Sequence, residues 1–267
     1  MTRIEQFGWR GPVEPGLARV VSAHGDYYHL VCNEQPAGEV LARKKKSAFR
    51  DDAVPPMTGD FVRFRHNTSG ESLVLEVLPR FSHFERKDPG ARRSSQTLAV
   101  NFDTLFIMMS LNENFSLPRL ERYLALAEDI GEAEAVVVLT KADLPSAASL
   151  ATPPGIGQRV IRVSCLTGEG LDDVRAYFGA GRTVAFVGSS GVGKSTLLNT
   201  LAGEELAATQ EVQEWSGKGR HTTTSRELVM LPCGAMALDT PGIREIGRIG
   251  ESDSFLAKGE STHRWRK

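Results

Sequence analysis

Cysteine is scarce in this chain, and the three that occur, Cys32, Cys165 and Cys233, lie far apart. That spacing builds neither a disulfide framework nor a metal knuckle, so a reducing, cytoplasmic setting is expected. No apolar run is long enough to cross a bilayer. The first ten residues, Met1 to Arg10, lack the apolar stretch of a secretory signal. Nor is charge of one sign in excess. Lys and Arg number 32 against 33 Asp and Glu, a net charge of −1, so any affinity for a polyanion must come from local clusters. What is present, 267 residues with 40% hydrophobic and 24% charged, suits a soluble protein with two cored domains. A monomer without a membrane partner is the expectation.

The texture of the chain changes near residue 84. Before it, short strands are expected over 16–24, 27–32, 38–42, 60–65 and 72–78, with a turn at His24-Gly25-Asp26 and Pro or Gly clusters between the later ones. Five such strands fit a small barrel of the oligonucleotide-binding (OB) type, with an SH3-like barrel as the alternative. Residues 84–96 carry Arg86, Lys87, Arg92 and Arg93 around Pro89-Gly90 and read as a basic linker. Beyond it, apolar runs at 102–109, 135–139, 160–163 and 183–187 read as strands buried on both faces. Leu120, Tyr123, Leu124 and Ala127 recur at helical spacing before Gly131. The expected domains are therefore a barrel over 1–83, a linker over 84–96, an α/β domain with a mostly parallel sheet over 97–250, and a short basic tail over 251–267.

Two motifs in the α/β part carry chemistry. Gly188-Ser189-Ser190-Gly191-Val192-Gly193-Lys194-Ser195-Thr196 lies between a strand and a helix and fits the phosphate-loop pattern. Its glycines let backbone N–H groups face a phosphate, and the helix N-terminus adds partial positive charge. Lys194 is expected to reach the β- and γ-phosphates, and Ser195 to ligate Mg²⁺, which prefers oxygen. Thr140-Lys141-Ala142-Asp143 follows an apolar strand. A carboxylate at Asp143 can accept both N1–H and N2–H₂ of guanine, which adenine does not offer. The Lys141 stem can lie along the base. Thr140 stands where Asn is usual, and keeps a hydroxyl for local hydrogen bonding. Ser164-Cys165-Leu166 follows the next strand and is expected to place a backbone N–H against guanine O6. The base-reading signature precedes the phosphate loop, the reverse of the ordinary order.

Further along, an apolar strand ends in Asp239-Thr240-Pro241-Gly242. Asp239 is expected to hold the Mg²⁺ hydration shell and the Gly242 N–H to meet the γ-phosphate. Gly217 to Thr224 lies between, and one of Thr222, Thr223 and Thr224 should complete the Mg²⁺ shell. Thr223 is chosen, although spacing does not decide among them, and the segment is expected to order with nucleotide state. Position 243 is Ile, which cannot polarise water. His221 is then the candidate to orient or deprotonate the attacking water, with a solvent-facing or RNA-contacting histidine as the equal alternative.

A small barrel, Gln96 to Asp103, Thr140 to Asp143, Gly188 to Thr196, His221 to Thr224 and Asp239 to Gly242, in that order, resembles the RsgA (YjeQ) family over residues 14–250. These are circularly permuted GTPases of small ribosomal subunit biogenesis. The resemblance implies an OB barrel before a P-loop GTPase domain, Mg²⁺-dependent hydrolysis of GTP to GDP stimulated by the subunit, and contact with its rRNA. It also implies a C-terminal zinc domain with three cysteines and a histidine. No cysteine occurs in 251–267, and His263 alone makes no zinc site. The expectation is a truncated chain or a frame shift near Gly247.

Arg43-Lys44-Lys45-Lys46, with Arg50 nearby, is expected to contact RNA phosphates. Tyr27, Tyr28, Phe61 and Phe64 read as core in preference to stacking faces. The permutation is expected to wire the barrel to the base-reading side and the C-terminal segment to the γ-phosphate sensor. A nucleotide-responsive rRNA-binding module without useful turnover is the alternative function.

Overall fold

The computed structural model describes residues 1–34, 39–45, 49, 54–87, 95–148, 157–203 and 227–238. A one-turn helix, α1 (Arg3–Gln6), precedes five strands: β1 (Leu17–His24), β2 (Tyr27–Cys32), β3 (Glu39–Lys44), β4 (Phe61–Arg65) and β5 (Ser72–Val77). They close into a barrel in the order β1-β2-β3-β5-β4. The pairing of β3 with β5 is parallel, and β1 pairs antiparallel with β4. That crossover settles the choice in favour of the OB arrangement, because an up-and-down meander has no parallel pair. Alternation explains the barrel locally. In β2 and β3 every second residue, such as Leu30, Val40 and Ala42, points inward to Ala18, Val20, Val62 and Val74.

The segment expected as a linker has paired ends. β6 (His83–Lys87) and β7 (Ser95–Val100) form an antiparallel ribbon, with residues 88–94 outside the described residues. The α/β part then follows as β8 (Thr104–Ser110), α2 (Leu117–Leu126), β9 (Glu134–Thr140), β10 (Arg159–Val163), α3 (Leu171–Arg175), β11 (Thr183–Gly188), α4 (Lys194–Ala202), β12 (Leu228–Met230) and β13 (Met236–Leu238). Its sheet runs β10-β9-β8-β11-β13-β12, parallel except for the antiparallel edge strand β12. Every residue of β8 is buried. Leu105, Ile107 and Met109 face one core with Leu120 of α2, while Phe106 and Met108 face the other with Val174 of α3 and Leu197 of α4. Both faces are covered, which is why these strands read as continuous apolar runs rather than alternating ones.

The barrel and the sheet are bolted together through β1. Arg19 is 1% exposed and donates to the carbonyls of Phe7 (2.5 Å), Asn101 (2.6 Å) and Gly59 (3.3 Å) and to Thr183 Oγ1 (3.0 Å). Its guanidinium also reaches Met236 Sδ at 3.4 Å and lies 4.7 Å over the Phe61 ring. Burial pulls its pKa down to about 9, with Asp103 and Asp60 acting the other way, so it stays charged at neutral pH. Gly59 sits at φ +98°, where a Cβ would stand 2.7 Å from the Val100 carbonyl, so the close approach needs glycine. Ser22 bridges Glu227, just before β12. The barrel is joined by sequence to the β8 side, but it packs against the β12–β13 edge, opposite the strands that lead to the base signature. The expected wiring of the barrel to the base side is corrected by these contacts, whose partners are distant in sequence.

Candidate nucleotide site

Three loops meet at the C-terminal ends of β9, β10 and β11, where ligands of open α/β sheets bind. The phosphate loop leaves β11 at Gly188. A Cβ there would stand 2.7 Å from the Met108 carbonyl of the neighbouring strand, so only glycine lets the chain turn at this point. Gly193, at φ +99°, caps α4 in the left-handed region. Val192 is buried beneath the loop. Lys194 opens α4, and its ammonium donates to the Gly188 carbonyl at 3.0 Å and the Ser189 carbonyl at 3.2 Å. These contacts fold the lysine against its own loop. Ser195 stands beside it in the first helical turn, half-buried, and Thr196 is exposed.

The base signature is tied to this loop directly. Thr140, 4% exposed at the end of β9, donates its hydroxyl to the Val192 carbonyl at 2.6 Å. The partner is 52 residues away in sequence, so the expected local hydrogen bond is a tertiary one. Lys141 follows at φ +60°, a strained setting for a side-chain-bearing residue. The turn is held by Ala142 N–H to the Val163 carbonyl at 3.1 Å and by Leu144 N–H to the Lys141 carbonyl at 3.2 Å. It leaves Asp143 exposed.

Ser164, fully buried after β10, donates to Asp143 Oδ1 at 2.6 Å and accepts the N–H groups of Leu166 at 3.2 Å and Thr167 at 3.1 Å. One hydroxyl therefore fixes both the carboxylate and its neighbouring loop. The Leu166 N–H is turned inward to Ser164, while the Leu166 side chain is 84% exposed. Cys165 is half-buried, and burial raises its thiol pKa against a hydrogen bond with Thr200 of α4. Sequence reading missed the side-chain part of Ser164. The signal available was a hydroxyl one strand away from a carboxylate at equivalent loop positions.

Thr140→Val is expected to keep the shape but leave the buried Val192 carbonyl without its donor, a cost of about 1–3 kcal/mol. Guanine-nucleotide affinity should fall about tenfold, with Thr140→Asn close to the parent, as read by titration with a fluorescent GDP analogue. Equal affinity in the Val variant would remove the tether from the site.

His221, Thr223, Asp239 and Gly242 lie outside the described residues. Leu238, next to Asp239 in sequence, pairs with Ala185, three residues before Gly188. Oxygen donors at the start of α4 suit a hard cation, and Ser195 is the described residue that fits Mg²⁺. No three His, Cys, Asp or Glu side chains converge as a metal group among the described residues. Cys32 is buried, Cys165 half-buried and Cys233 exposed, each apart from the others, so they do not fit zinc.

On the barrel, Tyr28, Phe61 and Phe64 are core, while Tyr27 is exposed with the Arg43 guanidinium 4.9 Å over its ring. Arg43 pairs with Glu71 at 3.1 Å and Lys44 with Asp26 at 3.0 Å. Exposed pairs of this kind contribute little, so a phosphate can compete for both cations. Lys46 and Arg50 lie outside the described residues.

The family described as RsgA GTPase matches residues 77–249. The chain is 43% identical to small ribosomal subunit biogenesis GTPase RsgA 2 of Lactiplantibacillus plantarum over 241 residues, covering 86% of this chain and 66% of that protein. It is 42% identical to RsgA 2 of Vibrio vulnificus, covering 86% of this chain and 63% of that protein. RsgA of Leptospira interrogans is 36% identical over 93% of this chain and 72% of its own length. The chain thus spans a little under two thirds of the first two of these relatives. Among solved structures, YjeQ from Thermotoga maritima superposes with a TM-score of 0.59 at 23% identity, over 86% of this chain and 76% of that one. YloQ, a circularly permuted GTPase, gives 0.52 at 22%, over 87% and 73%. Both share the fold of barrel and permuted sheet. With its base signature ahead of its phosphate loop and a match of this extent, the chain belongs to the RsgA GTPase family.

Proposed function

We propose that this chain binds GTP and hydrolyses it to GDP and phosphate in the cytoplasm, while it engages an immature small ribosomal subunit and its rRNA. The subunit stimulates turnover. The observation that carries the reading is the Thr140–Val192 hydrogen bond, which makes the guanine-reading and phosphate-holding loops one unit. The names of the relatives support the ribosomal partner. Asp143, steadied by Ser164, accepts the two guanine donors. Lys194 exchanges the Gly188 and Ser189 carbonyls for phosphate oxygens and neutralises charge building on the β–γ bridge. Ser195, Thr223 and Asp239 would hold Mg²⁺, which adds charge neutralisation at the phosphates. The Gly242 N–H meets the γ-phosphate, and His221 orients the attacking water, a task Ile243 cannot perform.

Ile243 also favours a second reading, a nucleotide-responsive rRNA-binding module with little turnover. Single-turnover hydrolysis of GTP by the full chain, with and without purified small subunits, separates the two. Stimulation by subunits is the expected result. Intact GTP binding with no hydrolysis in either condition selects the binding module.

A further inference from the structure

We infer that barrel strand β1 is a positioning element of the nucleotide site, acting through the β12–β13 hairpin, so that occupancy of the barrel and of the phosphate loop bias each other. The inference rests on the nucleotide-binding reading above. The hairpin, Leu228–Met230 and Met236–Leu238, is the piece of sheet between the stretch of sequence proposed to complete the Mg²⁺ shell and the stretch proposed to meet the γ-phosphate. Thr222 to Thr224 come just before it and Asp239 to Gly242 just after. β13 lies parallel to β11, with Thr183 opposite Met236 and Ala185 opposite Leu238. A displacement of the hairpin along β11 therefore changes where residue 239 starts relative to the phosphate loop.

β1 grips that hairpin at three successive levels. At its foot, the Arg19 guanidinium donates both to Thr183 Oγ1 (3.0 Å) and toward Met236 Sδ (3.4 Å), so one buried cation spans the starts of β11 and β13. In the middle, Val21 packs on the cluster that holds Leu228, Met236 and Leu238. At the top, Ser22 bridges Glu227. The strands of the hairpin are three residues each, and β12 is the sheet edge among the described residues, so the contacts with β1 add to the pairing of β13 with β11 in fixing it. β1 is itself closed into the barrel by β2 and β4, and the barrel moves with it. Coupling between two ligands that favour different hairpin positions is reciprocal by linkage.

Amide hydrogen exchange on the full chain, loaded with Mg²⁺ and either GDP or a non-hydrolysable GTP analogue, tests this. Peptides covering 17–24 and 227–238 are expected to change protection together between the two states. In Arg19→Met and in Glu227→Pro, whose ring restricts the backbone at the bridge to Ser22, the change over 17–24 should vanish. The ratio of GTP-analogue to GDP affinity should shift about fivefold or more. Arg19→Lys, which keeps charge but not the fork, should fall between. A purely structural Arg19 would weaken both nucleotides equally and leave the ratio alone. Equal protection of 17–24 in the two wild-type states, or an unchanged ratio in both variants, overturns the inference. Glu227→Pro leaves Arg19 in place, so misfolding of the Met variant does not decide the matter. A chain whose β1 responds to nucleotide but whose hydrolysis ignores the subunit overturns the proposed function alone, and the converse overturns only the coupling.

Discussion

Asp143→Asn is expected to lower GTP affinity by roughly 10²- to 10⁴-fold, because two hydrogen bonds to a charged acceptor contribute about 1.5–3 kcal/mol each. The amide keeps one acceptor but turns a donor toward a base that presents donors. Xanthosine triphosphate carries a carbonyl in place of the guanine amino group, and it should bind the variant better than GTP does. The buried Ser164 hydroxyl strengthens this expectation. It donates to Asp143 Oδ1 at 2.6 Å, so the variant's side chain is steered to keep its oxygen toward Ser164 and its NH₂ toward the base. Isothermal titration with GDP and xanthosine diphosphate measures both arms. Unchanged GDP affinity would take Asp143 out of base recognition.

Arg80→Met is expected to cost about 3–5 kcal/mol of stability, the usual consequence of leaving a buried charge without its partner. The Asp60 side chain has no exposure, and Arg80 grips both of its oxygens at 2.8 Å, while the Met57 N–H adds a third bond at 2.9 Å. Burial already holds the Asp60 pKa above its ordinary value despite Arg80. A raised acid binds its proton in the folded state more tightly than in the unfolded one. Its contribution is therefore lost as pH rises through the folded pKa and regained on acidification. Removal of Arg80 takes away the main opposing influence and moves the folded pKa higher still. The deficit of the variant should be largest at neutral pH and shrink as the buffer is lowered toward the ordinary Asp range. Urea unfolding of both chains at a series of pH values checks it; a deficit independent of pH would show that Asp60 does not titrate in this way.

Much of this architecture was legible because the period of the hydrophobic pattern changes with burial. The first four residues of β2 and of β3 alternate, so the barrel showed itself, and β8, β9 and β11 are apolar through their middles, so the two-faced sheet did too. The β6–β7 ribbon did not, since His83–Lys87 and Ser95–Val100 carry charged and polar residues, and among their described side chains only Phe84, Ala99 and Val100 are fully buried. A solvated ribbon has no period to read. Arg19 was opaque for the opposite reason. It sits between apolar neighbours in Leu17–His24 and looks like the outward member of an alternating pair, and it is partners at 7, 59, 101, 183 and 236 that turn that face inward. The loops of the site were readable as types of residue. Their cross-links, Thr140 to Val192 and Ser164 to Asp143, were not, because pairings across strands depend on sheet order and that order places β8 between β9 and β11.

The position of β8 has a consequence for how the chain is made. During synthesis β8 emerges with β9 as its only sheet neighbour on one side, and its other side waits for β11, which follows the whole of β9, α2, β10 and α3. Through that interval a strand that ends up buried along its whole length presents an open row of amide and carbonyl groups, the geometry that invites pairing with a second nascent chain. The finished barrel and ribbon upstream cover its face, with Phe84 and Ala99 in the same core as Leu105 and Ile107, but not its edge. Arrival of β11 therefore does two things at once: it delivers the phosphate loop, and it seals the edge at which the half-made molecule is most exposed to aggregation.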